Sequence, residues 1–402
     1  MSATVCLGCG AVAVEGLLDF GEQPPSNRFI RIAEPNPDVH PLSIGQCGAC
    51  ALVQLINAMP ATMVRPRFTW LTYSEPESHL DQLVARLVRL DGITKDSIIR
   101  GLTYLDDSTL ARFNRLGCGK TLRYDLRRDF GINEECAGLE TIQSILDKDA
   151  TEKLLARHGR ADLLVVRYAL EHAHVPASFL EALGSLVKPG GYLVIEVPDC
   201  TKFIGACDYS FVWEEHICYF SPVTLASFAH SNRFMIVDML NYAHPLEDSL
   251  AVVLKASSAG DGRVTVADNL TRELTAGRRF GKSFDGARSR IRRHLEQLHA
   301  QGKHIAVFGA SHLAAKFINF FGLKDVIECV VDDNPHKQGL LMPGSQLPIV
   351  GSHVLTENKI DLCLLSLSPE SEQKVLAKKQ DYVAQGGRFA SIFALSPSAL
   401  RD

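Results

Sequence analysis

Two cysteine pairs carry the most specific chemistry in this 402-residue chain: Cys6 with Cys9, and Cys47 with Cys50, each spaced C-x-x-C. One such knuckle aims two thiolates at a single ion, and two knuckles close the tetrahedral sulfur shell that zinc takes. Gly8, Gly10, Gly45 and Gly48 fall where the chain must turn tightly around the metal. Four thiolates leave no position for water, so this zinc is expected to fold a module and not to catalyse. The second cluster is Trp213-Glu214-Glu215-His216, followed by Cys218-Tyr219-Phe220. An imidazole beside two carboxylates and wrapped in aromatics is expected to titrate near neutral pH as a general base. A histidine near acids is also a common structural group, but a second pair, Glu171-His172, follows a predicted strand and favours an enzyme site.

These residues need a frame. Asp162–Val166 and Tyr192–Val197 read as buried strands, with an amphipathic helix over Phe179–Val187 stopped by Lys188-Pro189-Gly190-Gly191. Strands alternating with helices give an α/β fold with a mostly parallel, doubly wound sheet. Ligands of such sheets lie beyond the carboxyl ends of the strands, which puts Arg167–His172 and Glu196–Asp199 on the functional rim. The segment Gly21–Phe29, with Pro24 and Pro25, reads as an ordered loop and not a strand. It either reaches toward a substrate or is a plain surface connection.

The length calls for two or three domains, divided here as a zinc module over 1–72, a central domain over 73–258 and a C-terminal domain over 259–402. Hydrophobic content of 46% and charged content of 22% are globular values. A net charge of -4 disfavours nucleic acid and anionic membrane as partners. No run approaches the roughly 18–20 apolar residues of a membrane span, and the first residues lack a signal-peptide pattern. The 11 cysteines are odd in number and scattered after Cys50, which points to reduced thiols and a cytoplasmic location.

Taken in order, the motifs resemble the sugar-nucleotide C-methyltransferases of deoxysugar biosynthesis. The supporting stretches are the two knuckles, the Gln23-Pro24 loop, Gly45-Gln46-Cys47 through Leu55, Ala169-Leu170-Glu171-His172, Lys188–Gly191, Glu196-Val197-Pro198, Glu215-His216 through Ser221, and Val331–Gly339. The resemblance covers nearly the whole chain. It implies a zinc module, a central Rossmann-like domain for S-adenosylmethionine (SAM) and a C-terminal Rossmann-like domain. It also implies a reaction in which a base makes an enolate from a keto-sugar nucleotide and the enolate takes the SAM methyl. His216 with Glu215 matches the family's Glu-His pair, and Tyr73 matches its active-site tyrosine. His172 joins them as a candidate, and Trp213 stands where the family has a second tyrosine. For the cofactor, the matching positions are Gly101, Asp106, Asp125 and Ala169. The loop departs from the family pattern: only Gly101 remains, Leu102, Tyr104 and Leu105 are bulky, and Arg167-Tyr168 replaces small or amide residues. Enolisation without a methyl donor, giving epimerisation, isomerisation or elimination, is therefore a second reading, and a non-catalytic sugar-nucleotide-binding paralogue a third.

In the last part, His304–Phe308, Gly309 and Ile327–Val331 ending at Asp332-Asp333 outline half of a Rossmann unit. The glycine fingerprint is incomplete, which favours packing or clamping of the sugar nucleotide over NAD binding. Pro335–Gly339 is placed to face the cleft. Asn269–Gln301 reads as a helix whose basic face is solvated, and Asp361–Leu367 and Arg388–Phe393 as the remaining strands.

Overall fold

The computed structural model describes residues 4–71, 75–133, 136, 138–256, 267–357 and 359–401. Tyr73 and both expected domain boundaries lie outside them. The N-terminal part holds β1 (Val14–Gln23), β2 (Ile30–Arg31), β3 (His40–Cys47) and β4 (Val53–Leu55). The central part holds β5 (Ile99–Gly101), β6 (Thr121–Arg123), β7 (Ala161–Arg167), β8 (Val187–Asp199), β9 (Cys218–Tyr219), β10 (Phe234–Tyr242) and β11 (Asp248–Ala256). The C-terminal part holds β12 (Ile305–Phe308), β13 (Cys329–Val331), β14 (Leu340–Leu341), β15 (Ile349–Val350), β16 (Leu362–Leu365) and β17 (Arg388–Ser391).

The central sheet runs β10-β11-β8-β7-β5-β6. Its β6-β5-β7-β8 half is parallel, while β11 and β10 are antiparallel. β7 and β8 read as continuous apolar runs because helices cover both faces. Helix Pro176–Ser185 starts on a proline at its first position and ends two residues short of the expected Val187. β8 begins at Val187, and Lys188–Gly191 forms a break in the β7–β8 register, with Gly190 at a φ of 78°. Since β6 lies on one side of β5 and β7 on the other, the topological switch point falls between the carboxyl ends of β5 and β7.

The C-terminal sheet, β15-β13-β12-β16-β17, is wholly parallel. After β12 the chain turns at Gly309, whose φ of 103° and close neighbours Leu367 and Ser366 exclude a side chain. Ser311 then caps helix His312–Phe321.

Two strand pairings stitch the three parts together. The N-terminal sheet is β1-β3-β4-β9, so its last strand comes from the central part, with Val53 opposite Tyr219. β14 pairs with β2, joining the C-terminal part to the N-terminal one. Helix Ala267–Ala300 packs one face on the zinc module: a side chain at Gly277 would strike Gln46, and one at Gly281 the Leu17 carbonyl. Among the described residues no helix is long and apolar enough to cross a membrane.

Candidate active site and metal centre

The two knuckles meet. All four sulfurs lie within 4.8 Å of one another, with Cys6 Sγ 3.5 Å from Cys50 Sγ and Cys9 Sγ 3.7 Å from Cys47 Sγ. A tetrahedron of ~2.3 Å zinc–sulfur bonds has edges of about 3.8 Å, so the four cysteines fit zinc. The Gly8 and Ala49 N–H groups each donate to a knuckle sulfur at 3.4 Å, stabilising thiolate charge. The second knuckle ends β3 and leads through Ala51, at a φ of 62°, into β4.

β4 in turn carries β9, and just before β9 lies the turn Trp213–His216, closed by the His216 N–H on the Trp213 carbonyl at 3.1 Å. This turn sends neighbouring side chains to different places. Buried Glu214 accepts the Ser26 N–H and hydroxyl and pairs with Lys316 Nζ at 2.5 Å. Glu215 accepts from Asn27 Nδ2 at 2.7 Å, and the same amide reaches the Val64 carbonyl. The Pro24–Phe29 loop is thereby anchored over the site and reaches inward, with Ser26, Asn27 and Phe29 lining the cavity, so it is not a plain surface connection. Its first residues, Gly21–Gln23, belong to β1 and not to the loop.

His216 is left facing the cavity. Its neighbours are aromatic and imidazole rings: Trp213 at 4.9 Å, and His172 edge-on at 4.9 Å. Burial, with His172 and His312 close by, holds His216 well below the ordinary histidine range. The expected carboxylate tuning toward neutral pH does not occur, because Glu214 and Glu215 are committed to the loop. His216 is a neutral acceptor at physiological pH. Behind it, burial pushes His172 down to about 3, against a hydrogen bond to the Glu215 backbone. Glu171 is fully buried with neither carboxylate oxygen partnered among the described residues, and burial raises it far above the carboxylate range.

The cavity measures about 310 Å³ and has three walls. Asn27 and Phe29 form the first, Tyr168, Pro198, Trp213 and His216 the second. Ala310–Leu313 and Lys337 form the third, from the C-terminal part. His312 stacks on Trp213 at 4.1 Å. Lys337 Nζ bonds the Ala310 carbonyl at 2.7 Å and Asp332 at 3.0 Å, as expected of a segment that faces the cleft. Asp332 also accepts the Ala310 N–H, so this acid ties its own loop and is not presented to a ribose. Glu75 and Glu247 line the cavity too. Sequence reasoning missed them and His312, since each is a lone polar residue that only tertiary folding brings to the site.

The candidate SAM positions have a different fate. Asp106 is fully buried and accepts the N–H groups of Leu102, Thr103 and Arg167 at 2.8, 2.8 and 3.0 Å. A Cβ on Gly101 would stand 2.7 Å from the Asp106 Cβ, so the space this glycine leaves is taken by the chain itself. Arg167, at 0% exposure, fills the crevice between the ends of β5 and β7. It donates to Glu196 Oε2 at 2.8 Å, the Leu105 carbonyl at 2.7 Å and the Pro76 carbonyl at 3.0 Å. His79 completes the plug, 2.9 Å from Glu196. Ala169 is buried, and Asp125 is exposed, capping the short helix Leu126–Phe130. The residues at the switch point therefore do not fit SAM: the Arg167 side chain with its partners fills the crevice, and Asp106 takes the space beside Gly101.

Comparison with known proteins defines the class. A zinc binding domain model matches residues 6–63, a methyltransferase domain model residues 110–238, and a C-methyltransferase C-terminal domain model residues 249–394. With these three in this order, the chain resembles the three-part C-methyltransferases. It is 23% identical to the C-methyltransferase NovU of Streptomyces niveus over 398 residues, covering 96% of this chain and 94% of that protein. Solved structures are similar over part of the chain. The 1,6-didemethyltoxoflavin-N1-methyltransferase of Burkholderia thailandensis, with bound S-adenosylhomocysteine, has a TM-score of 0.32 at 16% identity, over 45% of this chain and 80% of that one. The magnesium protoporphyrin IX methyltransferase of Synechocystis also has 0.32, at 15% identity, over 49% and 100%.

Proposed function

We propose that the protein binds a keto-sugar nucleotide in the three-walled cavity and that His216 removes a proton from the carbon beside the carbonyl. The observation that carries this is the convergence of all three parts on one neutral histidine. The first-turn N–H groups of helix His312–Phe321 have no carbonyl within the helix to bond, and with Lys337 they offer a positive end for the diphosphate or the enolate oxygen. Trp213 supplies an apolar face for the sugar ring. Glu215 acts through Asn27, holding the loop that closes the first wall. Zinc holds the β3–β4 turn from which β9 is hung, and takes no part in the chemistry.

Capture of the enolate by a methyl group is supported by the domain matches and by NovU. Return of a proton is the second reading, and the filled crevice at Arg167 favours it. Both need the same first step. It is tested by incubating nucleoside-diphosphate keto-deoxyhexoses with the protein in deuterium oxide and following exchange beside the carbonyl by NMR. His216→Gln is expected to slow exchange by roughly 10²–10⁴-fold. Exchange at the wild-type rate in that variant refutes the assignment of the base.

A further inference from the structure

We infer that the enolate made in this cavity is captured by a proton from the Glu75–Glu247 carboxyl pair, so that the chain moves hydrogen on a keto-sugar nucleotide without SAM. This rests on the proposed substrate and base. Three independent observations carry it. The switch-point crevice, where an open α/β sheet receives its ligand, is occupied by Arg167, with Asp106 and Glu196 committed to it. The methyltransferase domain match begins at residue 110, so it does not take in the Gly101–Leu105 loop, although the overall likeness to NovU runs through it. The cavity, finally, is not closed off on that side but lined by two carboxyls.

The titratable groups that line the cavity have different electrostatic neighbours. His216 feels His172 and His312, whereas Glu75 feels Arg167 and Glu196, and Glu247 feels Glu75, Asp199 and Asp248. Burial pushes Glu75 up to about 7, with Arg167 opposing, and raises Glu247 well above the carboxylate range. A proton acceptor and a pair of proton donors thus share one cavity. The step balances without a co-reactant. His216 takes the C–H proton, and the electron pair moves onto the carbonyl oxygen. As the enolate collapses, its carbon takes the carboxyl proton. The imidazolium then returns its proton to the carboxylate through solvent. Delivery to the opposite face gives the epimer; delivery to the same face gives the original sugar bearing a solvent hydrogen.

The test uses the full chain with uridine- and thymidine-diphosphate keto-deoxyhexoses in deuterium oxide, with and without millimolar SAM, beside calorimetric titration of SAM. The expected result is deuterium at the carbon next to the carbonyl, at a rate SAM does not change, and no heat of SAM binding. The rate falls as pH rises through about 7, where Glu75 loses its proton. Glu75→Gln with Glu247→Gln slows exchange by roughly 10²-fold or more, while Glu75→Asp, which keeps a carboxyl, keeps the alkaline fall. A methylated, SAM-dependent product overturns the inference and leaves the proposed function standing. Exchange that ignores both glutamine substitutions overturns it through the acid. No deuterium from any of the sugars, with or without SAM, overturns both.

Discussion

Arg167→Met tests the plug as a structural device. The substitution keeps a long side chain but removes the guanidinium, which leaves Glu196 with His79 as its remaining partner and strands the Leu105 and Pro76 carbonyls. Both Arg167 and Glu196 are at 0% exposure, so solvent does not screen the loss. Breaking a buried pair from one side costs about 3–5 kcal/mol. For a domain of this size, each kcal/mol lowers Tm by roughly 2–4 °C, so the expected fall is roughly 6–20 °C by circular dichroism melting at pH 7. The pH dependence gives a second signature. Burial alone would raise Glu196, but the His79 hydrogen bond and the Arg167 charge bring it below its usual 4.5. A carboxyl lowered in the folded state stabilises above its unfolded pKa, and this contribution fades as pH falls through the folded value. The gap between wild type and variant is therefore widest near neutral pH and narrows in acid below 4.5. A variant melting within about 2 °C of wild type at pH 7 refutes the claim that this ion pair fills the crevice as a stabilising element.

Three further outcomes follow from the site. Elemental analysis is expected to find one zinc per chain, and a strong chelator, or Cys47→Ser, is expected to open the N-terminal module to limited proteolysis; resistance would count against a structural metal. Asn27→Ala removes a partner of buried Glu215 and is expected to cost about 1–3 kcal/mol in urea unfolding, with exchange activity falling more than binding of the sugar nucleotide. The folded His172 sits near 3 against 6.5 unfolded, so the unfolded state gains a proton first as pH drops. Stability is thus fully present above 6.5 and is expected to fall by about 2 kcal/mol between 6.5 and 5 through this residue; His172→Asn should remove that part of the slope.

The parts of this protein read directly from sequence are those whose signal is local. C-x-x-C spacing states its own geometry, and the apolar runs of β7 and β8 admit few alternatives when bounded by Pro176, Gly190 and Pro198. The loop around Gly101 also announced its crowding, because Leu102, Tyr104 and Leu105 have volumes that need no fold to be known. What stayed hidden depends on direction and on long-range pairing. Glu214 and Glu215 adjoin His216 in sequence, yet the backbone turn aims them at Ser26, Lys316 and Asn27. Arg167 looked like a rim residue, and only the neighbours contributed by Pro76, His79 and Leu105 turn it into a plug. Tyr168 adopts a φ of 48°, a conformation nothing in its side chain requests. Glu75 and Glu247 come from irregular segments 172 positions apart in the numbering, with no periodicity to mark them.

The pairing of β4 with β9 bears on how such a protein can be divided. A strand contributed by the central segment completes the sheet of the metal module, so the spatial unit that contains the zinc also contains residues 218 and 219. A chimera cut at the end of the zinc module would exchange three strands and leave the fourth behind, with its hydrogen bonds to Val53 and Gln54 offered to a foreign edge. The histidine lies two residues upstream of that seam. Grafting the module between relatives is therefore expected to succeed only when β9 and the Trp213–His216 turn travel with it, as one heritable block that linear domain maps divide in two.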